Sequence, residues 1–267
     1  MDRTLTIPPH TIFCRDNGSG IPILLLHGFG EDGTVWQNQV DVLAAGSRLL
    51  IPDLPGSGRS SALPASTSLE SLAVVIKEVL DQLHVDKVIL IGHSMGGYIA
   101  LAFAARFPER LLAFGLFHST AYPDSDEKKA TRRKAIDFIR ANGAAPFIRQ
   151  STPNLFSFRT REQRPELVES TSRKYSDLAP ASLTGYYEAM IARPDRTAVL
   201  REFPRPVLFV LGEDDIVVPL QQGLEQSWLP AISHLHIVKQ AGHMAMLEAP
   251  EKSNQLISDF INFVSRL

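Results

Sequence analysis

The chain predicts an α/β fold, with a mostly parallel central sheet, helices on both faces and a helical insertion. Two observations carry that prediction. Short apolar runs alternate with segments of helical periodicity on either side of the chain's middle, the pattern of β-α-β units. One stretch, 119–204, breaks the alternation with helical patterns and breakers but no convincing strand. The 267 residues thus divide into a core, 1–118 and 205–267, and an insertion expected to lie over the strand ends as a lid.

Taken in order, residues 4–15 read as a strand pair broken by the turn-forming cluster Asn17-Gly18-Ser19-Gly20. Residues 21–26 form a continuous apolar run, short enough for a buried parallel strand. A helix is expected over 35–45 and a strand over 48–51, ending at Pro52-Asp53. Over 69–83, Leu69, Leu72, Ile76, Leu80 and Leu83 lie along one helical stripe. The next strand, 87–91, runs directly into Gly92, and 98–107 continues as a helix that Pro108 stops. Strands follow at 110–117, 207–211 and 235–238, and an amphipathic helix at 251–264 closes the series. Within the insertion, 130–141, 165–175 and 181–191 read as helices.

Hydrophobic residues make up 44% and charged residues 21%, which supports a full core and argues against extended disorder. A formal net charge of -2 supplies no global basic field, so nucleic acid is not an expected partner. The single cysteine, Cys14, rules out an intrachain disulfide framework and makes a reduced, cytoplasmic protein the simplest expectation. The first residues lack the apolar run and cleavage site of a signal peptide, and no stretch nears the ~20 apolar residues of a membrane span. A monomer or a homodimer, with no membrane partner, fits this composition.

Gly92-His93-Ser94-Met95-Gly96 is weak as a bare Gly-x-Ser-x-Gly motif, but here it joins an apolar strand to a helix opened by Gly96-Gly97. That setting is the one a nucleophile elbow requires. Glycines two residues either side of Ser94 remove clashes a Cβ would cause in a strained turn, and a helix N-terminus favours negative charge beside the serine. The plainer alternative is a glycine-rich turn whose serine caps the helix.

A serine hydroxyl needs a base, and His243 follows the last strand in the loop Gln240-Ala241-Gly242-His243. The base needs an acid to hold its tautomer. Asp215 is preferred, in Gly212-Glu213-Asp214-Asp215 after strand 207–211, with Asp214 as fallback and Asp124 a weaker third candidate. His27-Gly28-Phe29-Gly30 ends another strand, so the Phe29 and Met95 N–H groups are expected to form an oxyanion hole. His234 and His236 share a strand face, where a solvated face is favoured over a metal pair. Neither a metal nor a cofactor is expected.

These motifs, together with Asp53-Leu54-Pro55-Gly56-Ser57-Gly58-Arg59-Ser60, resemble the signatures of the α/β-hydrolase superfamily over about 20–118 and 205–267. The resemblance implies that fold, a Ser-His-Asp triad and a helical cap, with a structural role for Asp53 to Ser60. A serine at position 94 is unlike the aspartate of epoxide hydrolases and haloalkane dehalogenases. It leaves esterases, thioesterases, lactonases, carbon–carbon bond hydrolases and cofactor-free perhydrolases.

The leading expectation is a carboxylesterase-like enzyme cleaving a small ester, thioester or lactone with an apolar acyl part. The alternatives are a carbon–carbon bond hydrolase or perhydrolase, or a slow-turnover ligand receptor on the same scaffold. His27, Trp36, His118, Phe138 and Tyr187 are candidate pocket residues, and Phe147, Phe156, Phe158, Tyr175, Tyr186 and Met190 are further aromatic or apolar candidates in the insertion. Lys128, Lys129, Arg132 and Arg133 share a helix face expected to be solvated, with an anionic substrate as the minority reading.

Overall fold

Uninterrupted apolar runs become the interior strands, because a parallel strand covered on both faces has no polar side to show. A computed structural model describes residues 2–267. An antiparallel pair at one side of the sheet, the edge strand β1 (Asp2–Ile7) and its neighbour β2 (His10–Asn17), turns at Pro8-Pro9, and the glycines at 18 and 20 lead on to β3 (Ile21–Leu26). The strand pair therefore turns at the prolines, and the Asn17–Gly20 cluster serves the following connection.

The helix expected over 35–45 is two pieces, a 3-10 turn (Gly33–Gln39) and a short α1 (Val40–Ala44). Asp32 caps the first by accepting the Thr34 N–H, and the tighter coil lets fully buried Trp36 enter the core. Next come β4 (Ser47–Pro52), α2 (Leu69–Gln82), β5 (Val88–His93), α3 (Met95–Arg106) and β6 (Leu111–Phe117). Ser68 and Ser71 close a reciprocal cap on α2, whose leucine stripe is buried.

From β6 the chain runs through α4 (Asp126–Asn142), α5 (Ala144–Ser151), α6 (Phe158–Gln163), α7 (Pro165–Tyr175), α8 (Pro180–Ala192) and α9 (Thr197–Glu202) before re-entering the sheet as β7 (Val207–Gly212). The chain ends with α10 (Leu220–Ser227), β8 (Ser233–Val238), α11 (Ala245–Glu248) and α12 (Pro250–Val264). The sheet order is β1-β2-β4-β3-β5-β6-β7-β8, antiparallel at β1, β2 and β4 and parallel from there on. Two apolar clusters sandwich it. One packs α2 and α3 on one face, and the other packs α12 and the 3-10 turn on the opposite face. A smaller third cluster, with Ile139, Phe147, Ile148, Tyr175 and Leu183, holds the helices of the β6–β7 segment together. Among the described residues no helix is long and apolar enough to cross a membrane.

This arrangement brings the carboxyl ends of β3, β5, β6 and β7 to one edge, under the β6–β7 helices.

Candidate active site

At the end of β5 the chain must turn into α3 within one residue. Ser94 makes that turn at φ 49° and ψ -113°, a backbone region that a non-glycine residue enters only under constraint. Its N–H donates to the Phe117 carbonyl (2.9 Å), and its own carbonyl accepts from Ser119 Oγ (2.7 Å). The flanking glycines have a measurable cause. A Cβ at Gly92 would sit 2.1 Å from the Gly96 carbonyl oxygen, and one at Gly96 would sit 2.7 Å from the His27 carbonyl oxygen.

Ser94 and His243 line one cavity of about 330 Å³. Phe29 lines it as well, and Met95 follows Ser94 directly as the first residue of α3. His243 Nδ1 lies 2.8 Å from Asp215 Oδ2, and Asp215 Oδ1 accepts the Val217 and Val218 N–H groups (2.8 and 2.9 Å). Burial alone would raise the Asp215 pKa, but the charges and hydrogen bonds of His243 and His118 outweigh it and hold the carboxyl well below its usual range. The carboxylate is therefore ionised and fixes His243 with Nδ1–H, so that Nε2 can take a proton. Asp214 is exposed, and Asp124 is occupied by Arg132 and Arg193. Asp215 is the acid that reaches His243.

Sequence reasoning missed four supports of this set. Asp215 Oδ2 also meets His118 Nδ1 at 3.2 Å. Burial outweighs that carboxylate and lowers the His118 pKa, so its ring is neutral and donates through Nδ1, leaving Nε2 buried without a partner. The ligand atoms of His118, Asp215 and His243 lie within 4.8 Å of one another, but a cation there would displace the Asp215–His243 hydrogen bond. Second is Glu248, which accepts from the N–H groups of Gly242 (2.8 Å), Met244 (3.3 Å) and Ser157 (2.9 Å), gripping the His243 loop and tying it to the helical segment.

The third and fourth are a buried pair. Glu31 Oε2 accepts the Gly28 N–H (2.8 Å) and meets His93 Nδ1 at 3.0 Å, while His93 Nε2 lies 2.9 Å from the His243 carbonyl oxygen. Burial opposes charge on both groups. The attraction between them outweighs it, raising the His93 pKa and lowering that of Glu31. His93 is thus an imidazolium donating from both ring nitrogens, and it links the Phe29 loop to the His243 loop. The nearest sequence signal is a histidine inside the serine motif with a glutamate three residues after Gly28.

Several expected pocket residues are elsewhere. His27, Trp36 and His118 are fully buried, and none of them lines the catalytic cavity or its neighbour. His27 Nε2 accepts the Leu54 N–H, and Trp36 packs edge-on against Phe117. Both belong to the floor below the site. Phe138 lines a second, more open cavity of about 450 Å³ that shares Thr131, Arg132, Ser151, Asn154 and Tyr187 with the first. Tyr187 does line the main cavity, stacked on Phe29 at 4.1 Å, as do Tyr175 and Met190. Phe147 lines the outer cavity, Phe156 and Tyr186 are buried, and Phe158 is exposed. The α4 cations are not a uniformly solvated face. Arg132 is 12% exposed, bonded to Asp124 and lining both cavities. His234 packs on Phe260 and Phe263. Asp53 is structural, accepting the Gly33 and Arg59 N–H groups (2.9 and 2.8 Å).

Comparisons with known proteins agree with this geometry. The family model for the alpha/beta hydrolase fold matches residues 21–250. A 2-hydroxy-6-oxononadienedioate/2-hydroxy-6-oxononatrienedioate hydrolase from Klebsiella pneumoniae is 33% identical over 97% of this chain and 92% of its own. One of the same name from Paraburkholderia phymatum is 32% identical over 92% and 89%. Among solved structures, a thermophilic esterase from Thermogutta terrifontis superposes with a TM-score of 0.93 at 30% identity, covering 99% of each chain. An enol-lactonase from Burkholderia xenovorans, TM-score 0.90 at 23% identity, shares the fold. By motif, sheet and relatives together, the chain belongs to the α/β-hydrolase fold family and is a hydrolase.

Proposed function

We propose that the protein cleaves a carbon–carbon bond beside the keto carbon of a small, carboxylate-bearing substrate, with Ser94, His243 and Asp215 as its catalytic triad. The observation that carries this reading is the identity of 30–33% with 2-hydroxy-6-oxononadienedioate hydrolases over more than nine-tenths of this chain. The substrate in their name has hydroxyl, keto, alkene and carboxylate groups but no ester, so its hydrolysis must break a carbon–carbon bond. The main cavity suits such a molecule, with Phe29, Tyr187 and Met190 as apolar wall and Arg132 as a cation.

In the proposed reaction, Ser94 Oγ attacks the keto carbon and its proton passes to His243 Nε2. The oxyanion is received by the Phe29 and Met95 N–H groups. The 2-hydroxy-diene reacts as its keto tautomer, its hydroxyl proton having moved to C5; collapse then breaks the C5–C6 bond, whose electron pair leaves as a dienolate conjugated with the C2 carbonyl and takes the proton from His243. Water, deprotonated by His243, then releases the acid from Ser94. Residues 119–204, which supply much of the cavity wall, act as the cap. The test is incubation with a 2-hydroxy-6-oxononadienedioate and mass analysis of products. A five-carbon and a four-carbon acid, absent with Ser94→Ala, are expected; an unconsumed substrate beside rapid hydrolysis of aryl esters would reject the assignment.

Ester cleavage is the second reading, favoured by the esterase from Thermogutta terrifontis. It uses the same first steps with an alkoxide as the leaving group, so product identity separates the two.

A further inference from the structure

The outer cavity carries a charge pattern that the triad does not need. Lys128, Arg132 and Lys134 line it, with no Asp or Glu among its described lining residues. Behind it, Asp124 accepts from Arg132 Nε (2.6 Å) and Nη2 (3.3 Å) and from Arg193 Nη1 (2.9 Å). One buried carboxylate therefore faces two guanidinium groups, leaving one positive charge in excess beside the catalytic cavity. The whole chain carries a formal charge of -2, so this surplus is local.

We propose that the outer cavity is a cationic vestibule and that Arg132, at its junction with the catalytic cavity, receives a free carboxylate at the end of the substrate remote from Ser94. The proposal rests on the hydrolase reading above and names the substrate class within it. A guanidinium carries five N–H donors, and Asp124 grips it side-on through Nε and Nη2, which is compatible with a second carboxylate on the end-on edge. Burial opposes the charge on Arg132, but Tyr98 and Asp124 outweigh it and keep the group firmly cationic. Tyr187, whose ring lies 5.3 Å from the Arg132 guanidinium and 4.1 Å from the Phe29 ring, spans the distance to the Ser94 side. A clear cationic mouth also attracts anions from solution, an effect that salt screens.

The test compares the phenyl half-ester of a straight-chain dicarboxylic acid with the neutral phenyl ester of the monoacid of equal length. The wild type should prefer the half-ester in kcat/KM. Arg132→Gln should cut that preference at least tenfold, Arg132→Lys should restore part of it, and Arg140→Gln, on the same helix but outside both cavities, should leave the ratio unchanged. Arg193 still neutralises Asp124 in each variant, and thermal unfolding checks that they fold. Turnover of both esters with an unchanged ratio in Arg132→Gln overturns the proposal while leaving the hydrolase reading intact. Should neither ester be cleaved, titration of glutarate into the same proteins decides: tenfold weaker binding to Arg132→Gln supports the vestibule, and equal binding overturns it.

Discussion

Glu31→Gln removes one negative charge with almost no change in shape, at a carboxylate only 2% exposed. Its Oε2 serves both the Gly28 N–H and His93 Nδ1, while His93 Nε2 donates to the His243 carbonyl. Acceptors on both sides of one ring require hydrogen on both ring nitrogens. With glutamine, an imidazolium would be left buried without a countercharge, or a neutral ring would lose one of its two bonds. Removing one partner of a buried pair costs about 3–5 kcal/mol, and each kcal/mol moves Tm by about 2–4 °C in a chain of this size, so Tm should fall by roughly 6–20 °C.

The direction with pH follows from the two shifts. The His93 pKa is raised above 6.5, so its share of the stability is complete below that value and is lost as pH rises through the raised one. The Glu31 pKa is lowered below 4.5, so its share is complete above that value and is lost as pH falls through the lowered one. Calorimetry of wild type and Glu31→Gln from mildly acid to alkaline pH should therefore show the largest gap near pH 6, narrowing upward. Turnover should fall too, because the Phe29 and His243 loops lose their link. A Tm within about 2 °C of wild type near pH 6, or a gap that widens with pH, would refute the reasoning.

Asp215→Asn should fold yet lose about 10⁴-fold in kcat, because Val217 and Val218 N–H groups hold the amide oxygen and turn its NH₂ toward His243, forcing the tautomer that cannot accept the Ser94 proton. Steady-state kinetics with circular dichroism checks this. His118→Leu removes one of the hydrogen bonds to Asp215 and should cost about 1.5–3 kcal/mol of stability in denaturant unfolding. His243 and two backbone donors remain on Asp215, so kcat should fall less than about tenfold.

The sheet is legible in the sequence wherever strands are buried on both faces, since 21–26, 88–91 and 207–211 read as unbroken apolar runs and become β3, β5 and β7. The short helices α5 and α6 are not, because eight and six residues leave too little periodicity to register. Ser94, His243 and Asp215 can be found because each sits in a loop whose glycines and strand context announce it. Glu31 and Glu248 cannot, because each acts on backbone N–H groups and carries no motif of its own. His27 and His118 follow strand ends and Trp36 follows the Phe29 loop, so all three resemble pocket residues, yet the interior claims them. Arg132 resembles a surface charge until the fold places Asp124 and Arg193 beside it.

The most direct test of the account is the site of covalent capture by a fluorophosphonate, read by intact mass and peptide mapping. One adduct on Ser94 is predicted, absent in Ser94→Ala and strongly slowed in His243→Ala. A wild-type protein that stays unlabelled, or that carries its adduct on another residue, would contradict the assignment of Ser94 as nucleophile.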